Sequence, residues 1–167
     1  MSSIGTDKLF DDIITDIYFN DKFNELRKFE HHGTTRINHS VKVAYMAYRF
    51  ARILHLDYVS VARGGILHDY FESPEDRTKK ERFTSIFTHS KKAAKNALDD
   101  FKVNDKEYDI IRTHMFPINY KMPKYAESWL VCFSDKVVGT GEFLSKYKYK
   151  LSYALNLLII MLINSVN

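Results

Sequence analysis

The residues of this sequence best suited to chemistry are four histidines and two aspartates: His39, the adjacent pair His68 and Asp69, His89, His114 and Asp135. Imidazole and carboxylate are ligands for borderline divalent ions such as Zn, Fe, Mn, Co or Ni. A set this rich in nitrogen and oxygen, in a chain with 1 cysteine, does not suit a structural zinc knot and points to a catalytic metal centre. Each position falls at a helix end in the periodicity described below, and helix ends can converge on one cavity. Neighbouring residues in mid-helix point about 100° apart, so His68 and Asp69 can serve one centre only at a terminus, where a carboxylate can also bridge two ions. His31, His32 and His55 fall outside the pattern and read as structural or solvent-facing.

The elements that must position these residues read as helical nearly throughout, because apolar residues recur three and four apart and β-branched alternation is rare. The expected fold is an all-α, single-domain helical bundle of about six to eight helices. A helix over 7–19 presents Leu9, Ile13, Ile14 and Ile17, a short one follows over 22–29, and 30–38 is a loop. The stretch 40–54 is apolar on most of its circumference and is the central helix, with Tyr45, Tyr48 and Phe50 as core aromatics. Asp57 caps the next helix, whose Gly64 and Gly65 allow another backbone to approach closely.

The polar stretch 73–87, with Pro74, reads as an excursion over the site, after which Thr88 caps a helix from His89 to about Phe101. Asn104 and Glu107 form a capping-box pattern for a helix ending near His114, and 117–123 is a loop. Two helices, over 124–144 and 150–164, close the chain, with Gly139 and Gly141 bending the first. Trp129 is expected inside, Cys132 as an inert buried thiol, and Glu72 and Glu75 on a solvated loop.

Composition bounds the rest. The 167 residues are 45% apolar and 28% charged, an ordinary soluble globular mixture that excludes disordered and collagenous classes. The net charge of +4 mildly favours anionic partners, but the lysines are scattered, so no specific nucleic-acid binding is expected. The lone Cys132 and the absence of a signal-peptide pattern suggest a reducing, cytoplasmic setting. The apolar run from Leu155 to Ile163, interrupted by Asn156, is too short to span a bilayer and reads as a terminal packing helix, with no membrane partner. It could be covered within the monomer or in a homodimer.

The order His39, then His68 and Asp69 in GGILHDY, then Asp135 in FSDKV resembles the HD-domain superfamily of metal-dependent phosphohydrolases. His89 in FTHSKKAAKNAL and His114 in IIRTHMFP match the two extra histidines of its dinuclear members, and the likeness covers about 36–143. Small bacterial HD hydrolases of this six-ligand type, and the HD-class diadenosine tetraphosphate hydrolases, have the most similar local phrases. Tyr70, Phe71 and Glu72 follow the pair where the cyclic-dinucleotide phosphodiesterase branch has Ile-Gly-Lys, and no GYP follows, which argues against that branch. The chain length argues against the much larger dNTP triphosphohydrolases.

The resemblance implies that His39, His68, Asp69 and Asp135 bind one divalent transition metal ion, and that Asp69 with His89 and His114 binds a second, iron or manganese being favoured. It implies hydrolysis of a nucleotide or another small phosphorylated molecule by a metal-bound hydroxide, with Asp69 catalytic. Lys136, beside a ligand, is a candidate catalytic and substrate-binding cation, and Arg36, three residues before His39, a candidate phosphate contact. Two alternatives stay open: a di-iron oxygenase on the same fold, and a non-catalytic nucleotide-binding sensor.

Overall fold

In a computed structural model of the chain, which describes residues 7–28, 30–31, 34–72 and 78–166, the described residues form seven α-helices and one two-residue antiparallel ladder. The architecture is all-α. Helix α1 (Lys8–Tyr18) is capped by Asp7, which accepts from the Leu9 N–H, and it buries Phe10, Ile14 and Ile17. Leu9, expected on that apolar side, is exposed: the inward stripe is set by Phe10 instead. A short α2 (Asp21–Asn24) runs into a 3-10 turn, Glu25–Lys28.

The expected loop over 30–38 instead contains the paired strands β1 (Glu30–His31) and β2 (Thr34–Thr35) and the first turn of the central helix. Helix α3 (Arg36–Ile53) starts four residues earlier than the periodicity suggests, because the Thr35 hydroxyl accepts from the Asn38 N–H and opens it. That brings His39 into its first turn. Val43, Ala44, Ala47, Tyr48 and Ala51 are fully buried, while Phe50 is exposed.

Helix α4 (Tyr58–Leu67) is capped by Asp57 and crosses α3 at very short range. A Cβ on Gly65 would sit 2.9 Å from the Cα of Ala44, and one on Gly64 would sit 2.9 Å from Cγ2 of Ile110. No side chain larger than hydrogen fits the first contact, so glycine here sets the distance between α3 and α4. The main core gathers Phe10, Ile14, Tyr48, Ile66, Leu67 and Ile111. A second cluster, with Val43, Ala47, Val61, Ile110 and Val131, ties α7 to the body.

Helix α5 (Lys79–Asp100) overturns the expected start at His89. Thr78 and Glu81 form a full capping box, and the hydroxyl of Thr88 donates to the Thr84 carbonyl inside the helix rather than capping anything. Of the expected excursion only 73–77, which includes Glu75, lies outside the described residues. Helix α6 (Asp105–Thr113) starts from the Asn104 and Glu107 box as the pattern suggests.

Helix α7 (Ala126–Val166) replaces the two expected closing helices by one of 41 residues. Gly139 and Gly141 do not end it, and a Cβ at either would meet nothing within 4 Å. Trp129 is exposed on α7 in a T-shaped contact with the Phe116 ring, whereas Cys132 is buried. Leu151 and Tyr153 are exposed, and the side chains of the apolar run beyond them lie outside the described residues. Among the described residues, no helix is long and apolar enough to cross a membrane.

Candidate metal centre

All six of the singled-out side chains meet in one place. His39 comes from the first turn of α3, His68 is the C-terminal cap of α4 with Asp69 one step beyond, and His114 caps the end of α6. The helix-end argument holds for these four. It fails for His89 and Asp135, which sit well inside α5 and α7 and reach the cluster because those helices cross it.

Three overlapping triads have donor atoms within 4.8 Å of one another: His39, His68 and Asp69; His68, His114 and Asp135; and Asp69, His89 and His114. Asp69 belongs to two of them, with Oδ1 3.6 Å from His89 Nε2 and 3.7 Å from His114 Nε2, and Oδ2 3.9 Å from His68 Nε2. His39, His68 and His114 are each 1% exposed and form the floor. The side chains of His89 and Asp135 keep 12% and 16% exposure, so solvent reaches the cluster from their side.

The outer nitrogens of the histidines decide what the inner ones can do. Nδ1 of His68 donates to the Gly65 carbonyl at 2.7 Å, that of His89 to Ser85 at 2.8 Å, and that of His114 to Ile111 at 2.9 Å. A carbonyl can only accept, so each Nδ1 carries a proton, and the neutral form of each ring turns a bare Nε2 lone pair inward. His68 Nε2 is buried with no hydrogen-bond partner, and the Nε2 atoms of His89 and His114 face each other at 3.1 Å. Lone pairs converging in this way fit a cation, and the donor set is consistent with divalent metal binding.

The electrostatics favour the neutral ring at His114 but not at His68, where burial lowers the pKa and is outweighed by Asp69 and Asp135, which raise it. His114 is pushed down to about 3 by burial first and then by His68 and His89, which keeps it neutral. Burial works against the charged forms of Asp135 and His39, but their mutual contact outweighs it. Asp135 is held well below the usual carboxylate range by His39 and His68, and His39 is raised to about 9 by Asp135 and Glu142.

The two cations expected on substrate are engaged with protein. Arg36 is buried, donates to the Phe71 carbonyl and lies 4.1 Å over the Phe71 ring, which in turn packs on His89 with ring centroids 5.2 Å apart. Lys136 donates to the carbonyls of His114 at 3.1 Å and Cys132 at 3.2 Å, and approaches the Cys132 sulfur at 3.0 Å. Glu72 is exposed, as is His55 in the turn after α3. One participant escaped the sequence reading: Glu142, whose Oε2 accepts from His39 Nδ1 at 2.9 Å. The available signal was its spacing of seven residues from Asp135, two turns along one helix face.

Residues 36–139, more than half of the chain, match the HD domain family, and the chain belongs to it. No curated protein and no solved structure matches it. The family assignment and the cluster together are consistent with divalent metal binding.

Proposed function

We propose that this protein is a dinuclear metal-dependent phosphohydrolase of the HD domain family, acting on a nucleotide or another small phosphorylated molecule. The observation that carries the reading is the double membership of Asp69. Its carboxylate faces His39 and His68 on one side and His89 and His114 on the other, as a bridge between two ions requires. His39, His68, Asp69 and Asp135 would hold one ion, and Asp69, His89 and His114 the second, with iron or manganese favoured by an all-nitrogen-and-oxygen set. When bound, such ions would supply Lewis acidity, lowering the pKa of a coordinated water and offsetting charge on phosphoryl oxygens.

The chain's own residues do the rest. The buried floor of His39, His68 and His114 fixes the ligands before substrate arrives, and the open side at His89 and Asp135 admits it. Lys136, exposed along its length but anchored on the His114 carbonyl, can exchange that carbonyl for a phosphoryl oxygen. Arg36 acts from behind Phe71, holding the segment that follows Asp69, so its effect on substrate passes through His89 and Phe71. The test is phosphate release from a panel of phosphomonoesters, phosphodiesters and nucleoside polyphosphates with added Mn²⁺ or Fe²⁺. Metal-dependent turnover that D69A abolishes supports the reading. No turnover on any substrate, with oxygen uptake by an iron-loaded protein, would replace it with an oxygenase.

A further inference from the structure

His39 is held at both ring nitrogens by one helix. Asp135 Oδ1 lies 3.0 Å from Nε2 and Glu142 Oε2 lies 2.9 Å from Nδ1. The other three histidines of the cluster take their outer hydrogen bonds from backbone carbonyls three or four residues back in their own helices, so each orients itself. His39 stands in the first turn of α3 and, unlike the other three, finds the acceptor for its outer nitrogen on another helix. Glu142 supplies it, and its second oxygen is fixed by the Lys42 ammonium at 2.7 Å. Lys42 lies one turn after His39 on α3, so the contacts close a ring from α3 to α7 and back.

We infer that Glu142 is a positioning residue of the metal centre: it fixes the tautomer and the ring plane of His39 so that Nε2 faces the cluster, and Lys42 fixes Glu142. Glu142 lies three residues beyond the span that matches the family, so the HD pattern does not account for it. Its side chain is 10% exposed and that of Lys42 is 53% exposed, so a surface cation anchors a nearly buried carboxylate that in turn orients a ligand. A carboxylate behind a ligating imidazole also raises the basicity of the inner nitrogen, and losing one typically costs 10- to 100-fold in metal affinity.

The inference rests on the metal-centre reading, and the experiment separates the two. Full-length wild type, E142L, E142Q and K42M are titrated with Mn²⁺ by calorimetry, and with Co²⁺ while its visible ligand-field bands are recorded. E142L is expected to lose about 10- to 100-fold in affinity at one of the two ions, with altered Co²⁺ bands, while the other ion binds as before. E142Q keeps an oxygen that accepts from Nδ1, so it should recover most of that loss. K42M, altered at an exposed position that leaves the fold intact, should weaken the same ion by about two- to fivefold. If wild type binds metal and E142L matches it in affinity and spectrum, or E142Q binds as weakly as E142L, the positioning role is overturned alone. A wild type that takes up no ion overturns the metal-centre reading and this inference with it.

Discussion

The Nε2 atoms of His89 and His114 stand 3.1 Å apart while both Nδ1–H groups are committed to carbonyls of their own helices. In their neutral forms the two rings aim lone pairs at each other, and a cation held by both and by Asp69 would turn that repulsion into binding. A cation held only by the folded state stabilises the fold by mass action, by about 2.7 kcal/mol at a concentration a hundred times Kd. Adding Mn²⁺ or Fe²⁺ to chelator-treated protein should therefore raise Tm in a concentration-dependent way, and EDTA should reverse it. An unchanged Tm across a wide range of metal concentrations would contradict the arrangement.

Gly65 links packing to the site. Its missing Cβ lets α4 approach Ala44 of α3, and its carbonyl receives the His68 Nδ1–H. G65A forces a methyl against backbone, which cannot yield as a side-chain tip would, and overpacking of this kind costs about 1–3 kcal/mol. It also separates His39 from His68. Urea unfolding should show the loss of stability, and metal titration of the folded fraction a weaker affinity; a G65A protein equal to wild type in both would show that the close approach is dispensable.

A second charged cluster, remote from the metal centre, predicts acid sensitivity. Lys106 of α6 donates to Glu127 at 2.8 Å and to Asp57 at 3.3 Å, joining the start of α7 to the cap of α4. Burial opposes ionisation of both carboxylates, but it is outweighed. Asp57 is lowered by the Ser60 N–H and hydroxyl and by Lys106, and Glu127 by Lys106 and backbone N–H groups. A carboxyl with a depressed native pKa takes up its proton less readily when folded than when unfolded. Its contribution is present above the unfolded value, about 4, and is lost as the pH falls through the native one. Tm of wild type should fall below about pH 5, and K106M should show a shallower fall; parallel curves would remove the cluster from the acid response.

Much of the site was legible because it is written in residue type and order. His39, His68, Asp69 and Asp135 stand in the order that carries the resemblance and meet in one cluster, and the caps at Asp57 and Asn104 mark helix starts that need no tertiary information. The errors have physical causes. His89 looked like a helix start because the polar run before it has little apolar periodicity, yet the Thr78 and Glu81 box, also readable in sequence, begins α5 about three turns earlier. Gly139 and Gly141 were expected to bend the first of two closing helices, with a break between 144 and 150; α7 runs through all of these positions, a glycine costing a helix only about 1 kcal/mol. Phe50 was assigned to the core on its helical spacing and Trp129 likewise, and whether a large ring is covered depends on neighbours that local sequence does not reveal. Glu142 was missed because its meaning depends on the register of α7 against α3, a long-range fact.

The most direct test of the account is the metal content of wild type, H89Q and D69A by elemental analysis after loading with Mn²⁺ and removal of free metal. If Asp69 bridges two ions, wild type holds about two per chain, H89Q about one, because only the ion beside His114 loses a ligand, and D69A none. A wild type that holds one ion and an H89Q that holds the same would contradict the shared centre and leave His89 outside the metal site.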